Sequence, residues 1–187
     1  TMIRDNRQMS LLMNISNVNI KQMIADLKPL FIELAKENNN NIHITVDDDI
    51  GELMTDLVQL RQSVLQIVVN ATKFTQNGNV SLSIKKESTF VQFQVIDTGI
   101  GMDQKKVDSV INDLNNDDMS IISAFATLGL GIVLVHRFCK RIKASFTCIS
   151  KKNQGTTITI NHPILSDKQA VEIESSQKNA VIISQDM

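Results

Sequence analysis

Cysteine is scarce in this sequence: Cys139 and Cys148 are the only two among 187 residues, and both fall inside apolar periodic segments. Neither a disulfide framework nor a four-cysteine metal site can be assembled from them, and a reducing, cytoplasmic setting suits such a chain best. A surplus of charge is missing too. Nineteen basic against twenty acidic side chains leave a formal net charge of -1, so nothing predicts a sequence-blind attraction to nucleic acid or to a membrane surface. No apolar run approaches the roughly 20 residues that cross a bilayer, and no basic-then-apolar leader opens the chain. The first residue is Thr1 rather than Met, as in a piece of a longer protein whose membrane sensor lies elsewhere. No GxxxxGK[ST] run occurs and neither glycine pair extends to GxGxxG, so the P-loop and dinucleotide-binding readings lose their main support.

What is present is an apolar fraction of 42% over 187 residues, enough for one well-buried core with tails. Asn19 to Lys36 has helical periodicity, with Ile20, Met23, Ile24, Leu27, Leu30, Phe31 and Leu34 on one side and Pro29 as the discordant residue, where a kink is expected. A short strand through His43 and Val46 follows, ending at the acidic run Asp47 to Asp49. A second helix is predicted from Asp56 to Phe74, with Asp56 and Gln59 spaced as a capping box. Two alternating segments, Val80 to Lys86 and Val91 to Asp97, predict a hairpin. Asn112 to Ser120, rich in Asn and Asp, reads as an irregular, lid-like stretch. Gly129 to Lys143 predicts a third helix with Ile132, Val135, Cys139 and Ile142 on one stripe, and strands are expected around Ala144 to Ser150 and Thr156 to Ile160. After Pro163, Ser166 to Lys178 reads as a linker and Ala180 to Ser184 as one last short strand.

Three segments carry candidate chemistry. On the second helix, a step of about 100° per residue places Gln66, Asn70 and Lys73 within roughly 60° of one another, opposite a core stripe of Leu57, Leu60, Val64 and Val68. An amide oxygen and an ammonium stacked in this way suit a divalent metal and its phosphates, although a solvated helix face has the same pattern. Asp97 shares strand parity with Val91, Phe93 and Val95, so its carboxylate should face inward, where it needs strong donors. The turn Thr98-Gly99-Ile100-Gly101 beside it lets a planar group approach the backbone; an adenine amino group is such a donor, and a simple cap is the plainer alternative. In Thr127 to Ile132, glycines open a helix whose free amides can receive phosphate.

In their order along the chain, these segments resemble the catalytic and ATP-binding domain of sensor histidine kinases (HATPase_c), within the wider ATPase superfamily that includes gyrase and a heat-shock chaperone. LRQSVLQIVVNATKFTQNG, Leu60 to Gly78, looks like the N box; VIDTGIGM and TLGLGIVLVHRFCKRI look like the two glycine boxes; NQGTTITINHPI looks like the closing strand. The likeness spans roughly Ser10 to Ile164, and NAxKFT from Asn70 to Thr75 favours kinases. It implies a two-layer α/β sandwich, a mixed, mostly antiparallel sheet under three helices, that binds ATP and Mg²⁺. By the same resemblance Asp97 accepts from the adenine amino group beside Gly99, Ile100 and Gly101, Thr156 bridges to adenine through water, Asn70 ligates Mg²⁺, and Gln66 and Lys73 lie near the phosphates. Thr127, Leu128, Gly129, Leu130 and Gly131 would cradle the triphosphate.

The implied activity is transfer of the γ-phosphoryl group to a histidine of a separate dimerisation helix, with a response regulator or receiver domain as the further partner. No phosphoacceptor is expected here: His43 falls in a strand, His136 at the edge of the third helix's core stripe, and His162 before a proline. The resulting division is 1–9 as the end of a preceding dimerisation helix or a tail, 10–165 as the catalytic domain, and 166–187 as a linker that either leads into the start of a receiver domain or ends as an ordinary tail. The isolated chain should be monomeric and the full-length protein a homodimer, an arrangement compatible with a membrane anchor. Departures from the family pattern are Gln66 in place of Asn or His, Thr127 in place of a glycine, aliphatic Ile111 and Leu114 in place of an aromatic box, and no Lys or Arg between Asn112 and Ala126. These departures keep open a degenerate module that binds nucleotide weakly or not at all and acts through protein contacts. A gyrase-like clamp is disfavoured, because the amide of Gln66 cannot take a proton from water.

Overall fold

The computed structural model describes residues 12–115 and 130–183. A five-stranded sheet forms its floor, in the order β2 (Asn41–Val46), β4 (Asn79–Lys86), β5 (Phe90–Asp97), β7 (Gly155–Pro163) and β6 (Ser145–Lys151). Only the β2–β4 pair is parallel; the other pairs are antiparallel. Alternation sets the two faces: Val80, Leu82, Ile84, Val91, Phe93 and Val95 are buried, while Ser81, Ser83, Gln92 and Gln94 between them are half-exposed. The buried face packs beneath helices α1 (Ile20–Glu37), α2 (Leu57–Lys73) and α4 (Leu130–Ile142), with α3 (Gln104–Asn115) beside β6. This is the expected two-layer sandwich.

Each helix has a local cause. The Asn19 side chain caps α1 by accepting from the Gln22 amide at 2.9 Å, and the buried residues Ile20, Met23, Ile24, Leu27, Phe31 and Ala35 follow the helical period. Pro29 does not end this helix, since it lies on the exposed side, where the carbonyl freed one turn earlier meets water. Asp56 caps α2 through Oδ1, which accepts from the Gln59 amide at 3.0 Å, while the Gln59 side chain returns to Asp56 Oδ2 at 2.9 Å. Leu57 departs from the expected core stripe: it is 42% exposed at the first helical position, and the buried side runs instead through Leu60, Ser63, Val64, Ile67, Val68, Ala71 and Thr72.

Three elements were not anticipated. The strands β1 (Ile15–Asn19) and β3 (Glu52–Asp56) form a separate antiparallel pair, Ile15 opposite Asp56. The expected linker and terminal strand after Ser166 are instead a helix, α5 (Asp167–Ile183). A reciprocal capping box starts it: the Ser166 amide donates to Gln169 Oε1 at 2.9 Å, and the Gln169 amide to Ser166 Oγ at 3.4 Å. Ala170 and Ile173, one turn apart, are buried, and Glu174 and Gln177 accept hydrogen bonds from the amides of Ile15 and Met13 at 2.8 and 3.1 Å. A strand from Ala180 is therefore excluded as far as Ile183. Helix α3 likewise continues to Asn115, through the start of the stretch expected to be irregular, because Val107, Val110 and Leu114 bury one side of it. The expected end of a dimerisation helix at 1–9 lies outside the described residues, as does most of the lid-like stretch. Among the described residues no helix is long and apolar enough to cross a membrane.

Candidate functional site

Asp97 ends β5 with its side chain on the helix-covered face, 8% exposed. Its Oδ1 accepts from the Gly99 amide at 2.8 Å and from the Thr156 amide at 3.2 Å; both backbone donors fall on one oxygen, leaving Oδ2 without a backbone partner among the described residues. Burial pushes the Asp97 carboxyl above the ordinary carboxylate range, against the opposing pull of the Gly99 and Thr156 amides and the Thr75 hydroxyl. That hydroxyl is buried close by and makes no well-formed hydrogen bond.

The approach to Asp97 depends on glycine. Gly155, with φ of 101°, brings β7 so near that a Cβ there would lie 1.9 Å from the Asp97 carbonyl oxygen. The next residue, Thr156, sits directly opposite Asp97 in the strand register. Its hydroxyl meets Ser150 Oγ at 2.9 Å, Ser150 Oγ accepts from the Met102 amide at 2.8 Å, and Gln104 Oε1 accepts from the Ser150 amide at 2.6 Å. Ser150, Gln104 and Met102 thus hold the turn after Asp97 against β6. The sequence reading gave none of the three this role, although the inward parity of Cys148 and Ser150 on β6 was a usable signal.

Asn70 reaches the same space from α2. It lines, with Ala71, Phe74, Asp97, Ile100 and Met102, a cavity of about 160 Å³ that Gly101, Ile132, Cys148, Thr156 and Ile158 complete. Volumes of this order accommodate an aromatic ring. Asn70 Nδ2 is buried without a hydrogen-bond partner, an arrangement that costs free energy unless a ligand answers it. The end of α2 is fixed by Asn40, which donates to the Thr72 and Thr75 carbonyls at 3.0 and 2.8 Å and accepts from the Gly78 amide at 3.1 Å. Cys148 in the cavity wall has its thiol pushed up to about 12, first by burial and then by the carboxylates of Asp97 and Asp108; it is an inert wall group.

The other expected site residues are placed unevenly. Lys73 is exposed, with its ammonium 5.4 Å from the Phe74 ring centre. Gln66 is absent from the cavity wall; it packs against the first turn of α4, where a Cβ on Gly131 would lie 2.1 Å from Gln66 Oε1. Ile100 is largely exposed at the cavity mouth. Leu130 opens α4, and Thr127, Leu128 and Gly129 lie outside the described residues. No group of three or more His, Cys, Asp or Glu side chains among the described residues could hold a metal ion. A divalent cation here would draw on Asn70 and otherwise on oxygens from its ligand and water.

The model of the family described as "Histidine kinase-, DNA gyrase B-, and HSP90-like ATPase" matches residues 55–166, from the end of β3 through β7. The chain belongs to that family. Within this ATPase family its relatives are histidine kinases: the autoinducer 2 sensor kinase/phosphatase LuxQ of Vibrio parahaemolyticus is 26% identical over 75% of this chain and 18% of the relative, and the signal transduction histidine-protein kinase BarA of Escherichia coli K12 is 28% identical over 74% and 16%. The chain thus spans under a fifth of these relatives. Among solved structures, the catalytic domain of histidine kinase ThkA superposes with a TM-score of 0.67 at 19% identity, covering 81% of this chain and 97% of that one. Full-length ShkA in complex with AMPPNP gives a TM-score of 0.67 at 22% identity, covering 82% and 32%. The fold is therefore that of histidine-kinase catalytic domains.

Proposed function

We propose that this chain is the nucleotide-holding part of a sensor histidine kinase, binding Mg-ATP and presenting its γ-phosphoryl group to a histidine on a separate dimerisation helix. The observation that carries the reading is the convergence of Asp97 and Asn70 on one largely apolar cavity, each with unmet hydrogen-bonding capacity. Asp97 Oδ2 would accept from the adenine amino group, with Gly99, Gly101 and Ile100 along the ring and Thr156 beside it. Asn70 would offer its amide oxygen to Mg²⁺, Lys73 would swing from Phe74 to the phosphates, and Thr127 to Gly131 would supply backbone amides. Mg²⁺, when bound, neutralises charge on the transferring phosphoryl group. Gln66 then has a positioning role, seating the first turn of α4 rather than touching the nucleotide. The unit carrying this function is residues 10–165, and its partners are the protein's own dimerisation domain and a response regulator or receiver domain. The curated relatives and AMPPNP-bound ShkA support the assignment by likeness.

Calorimetric titration with ATP, with and without Mg²⁺, tests it. Asp97→Asn should weaken binding by roughly 10- to 150-fold, the scale of a hydrogen bond to a charged group, and Asn70→Ala should remove the gain from Mg²⁺ while sparing adenosine binding. Flat titrations of the parent chain in both conditions would replace this reading with that of a module acting through protein contacts.

A further inference from the structure

The outer side of the helix layer holds a second concavity, separate from the Asp97 cavity. It is a groove of about 230 Å³ between α2 and α4, lined by Gln59, Gln62 and Gln66 from α2 and by Leu134, Arg137 and Arg141 from α4. Its charge is one-sided. Although the whole chain has twenty acidic side chains against nineteen basic ones, neither α2 nor α4 contains an Asp or Glu, while together they carry Arg61, Lys73, Arg137, Lys140 and Arg141. Arg141 is held in place, its Nη1 donating to Gln59 Oε1 at 3.0 Å; partial burial lowers its pKa from the ordinary guanidinium range, against the opposing pull of the Asp56 carboxylate. Arg137, one turn earlier on the same side, is exposed and has no carboxylate partner among the described residues. Beside these charges, Leu134 is 39% exposed, and Val58, one turn before Gln62, is 71% exposed.

From an unanswered guanidinium, amide walls and the exposed Leu134 in one groove, with Val58 exposed on α2 outside its lining, we infer that the α2–α4 face docks an acidic segment of a partner protein, with carboxylates on Arg137 and an aliphatic side chain on Leu134. A carboxylate finds a planar, bidentate donor in Arg137, and the amides satisfy backbone or side-chain groups that a purely apolar groove would leave unpaired. A bilayer surface is flat and cannot fill the concavity, which sets this face apart from a membrane-binding one. Among the described residues the groove shares no lining residue with the Asp97 cavity.

The experiment is a ¹⁵N–¹H titration of the chain with a helical peptide carrying leucines one turn apart flanked by glutamates, beside the same peptide with lysines and beside phosphatidylglycerol vesicles. Saturable shifts of the Gln59, Gln62, Ser63 and Arg137 amides with the acidic peptide alone, weakened roughly tenfold in Arg137→Glu, are the expected result. Binding of the lysine peptide gained by Arg137→Glu would support the proposal and exclude a folding defect as the cause. Unmoved groove amides, equal shifts with the lysine peptide, or equal binding of the vesicles would overturn the proposal; nucleotide titration of Arg137→Glu remains as in the parent in every case.

Discussion

The backbone amide of Thr156 on β7 donates to Oδ1 of Asp97 on β5, the residue directly opposite it in the sheet, at 3.2 Å. A ladder position that would ordinarily exchange only main-chain bonds is used to orient a carboxylate, and the second oxygen has no backbone partner among the described residues. Because burial raises the Asp97 carboxyl above its ordinary range, nucleotide affinity should begin to fall on acidification above the pH where an exposed aspartate would titrate. Calorimetry of ATP binding against pH checks this, and an affinity flat down to pH 4 would contradict the assignment of Asp97.

Gly155→Ala should destabilise the chain by roughly 2–3 kcal/mol. The substituted Cβ would meet the Asp97 carbonyl oxygen, in a backbone conformation that disfavours any side chain. Urea unfolding measures it, and a midpoint equal to that of the parent would show that β7 can withdraw from β5 without cost.

His162 is fully buried, with Nδ1 facing the Pro163 carbonyl at 2.8 Å and Nε2 facing Thr55 Oγ1 at 2.9 Å. The neutral ring satisfies both by donating from Nδ1 and accepting at Nε2. Burial lowers its pKa to about 4 from 6.5, so between those values the unfolded chain binds more protons than the folded one. Its contribution is complete above pH 6.5 and is lost as the pH falls, by roughly 1.4 kcal/mol per pH unit within that window. The difference between parent and His162→Gln in urea midpoints at pH 7, 6 and 5 isolates this slope; parallel pH dependences would refute it.

Asp56→Ala should cost about 1–3 kcal/mol, more than an ordinary cap, because its Oδ2 also accepts from the Gln59 side chain and from the Asn14 amide, each at 2.9 Å. Thermal unfolding should register the loss, together with faster hydrogen exchange at Asn14. Exchange at Asn14 unchanged from the parent would mean that the bridge to the amino-terminal segment is not maintained in solution.

The legible parts of this sequence were those with long, regular periods. α1, α2, α4 and the β4–β5 hairpin stand where alternation and helical spacing put them, and the inward parity of Asp97 follows from its strand alone. β1 and β3 escaped because each has five residues and their pairing joins positions far apart, Ile15 with Asp56, a relationship no local window contains. The tail was misread because, among the residues whose burial is described, Ala170 and Ile173 alone mark its buried side, although its Ser166–Gln169 capping box was visible. Gln66 shares a helix face with Asn70, yet the close approach of Gly131 draws it towards α4. Spacing along one helix cannot report what an adjoining helix will press against it.

The hydrogen bonds from Met13 and Ile15 to Gln177 and Glu174 clasp together stretches of chain more than 150 positions apart. Unwinding that one helix would strip two amides of their acceptors, so strand and helix should loosen as a unit.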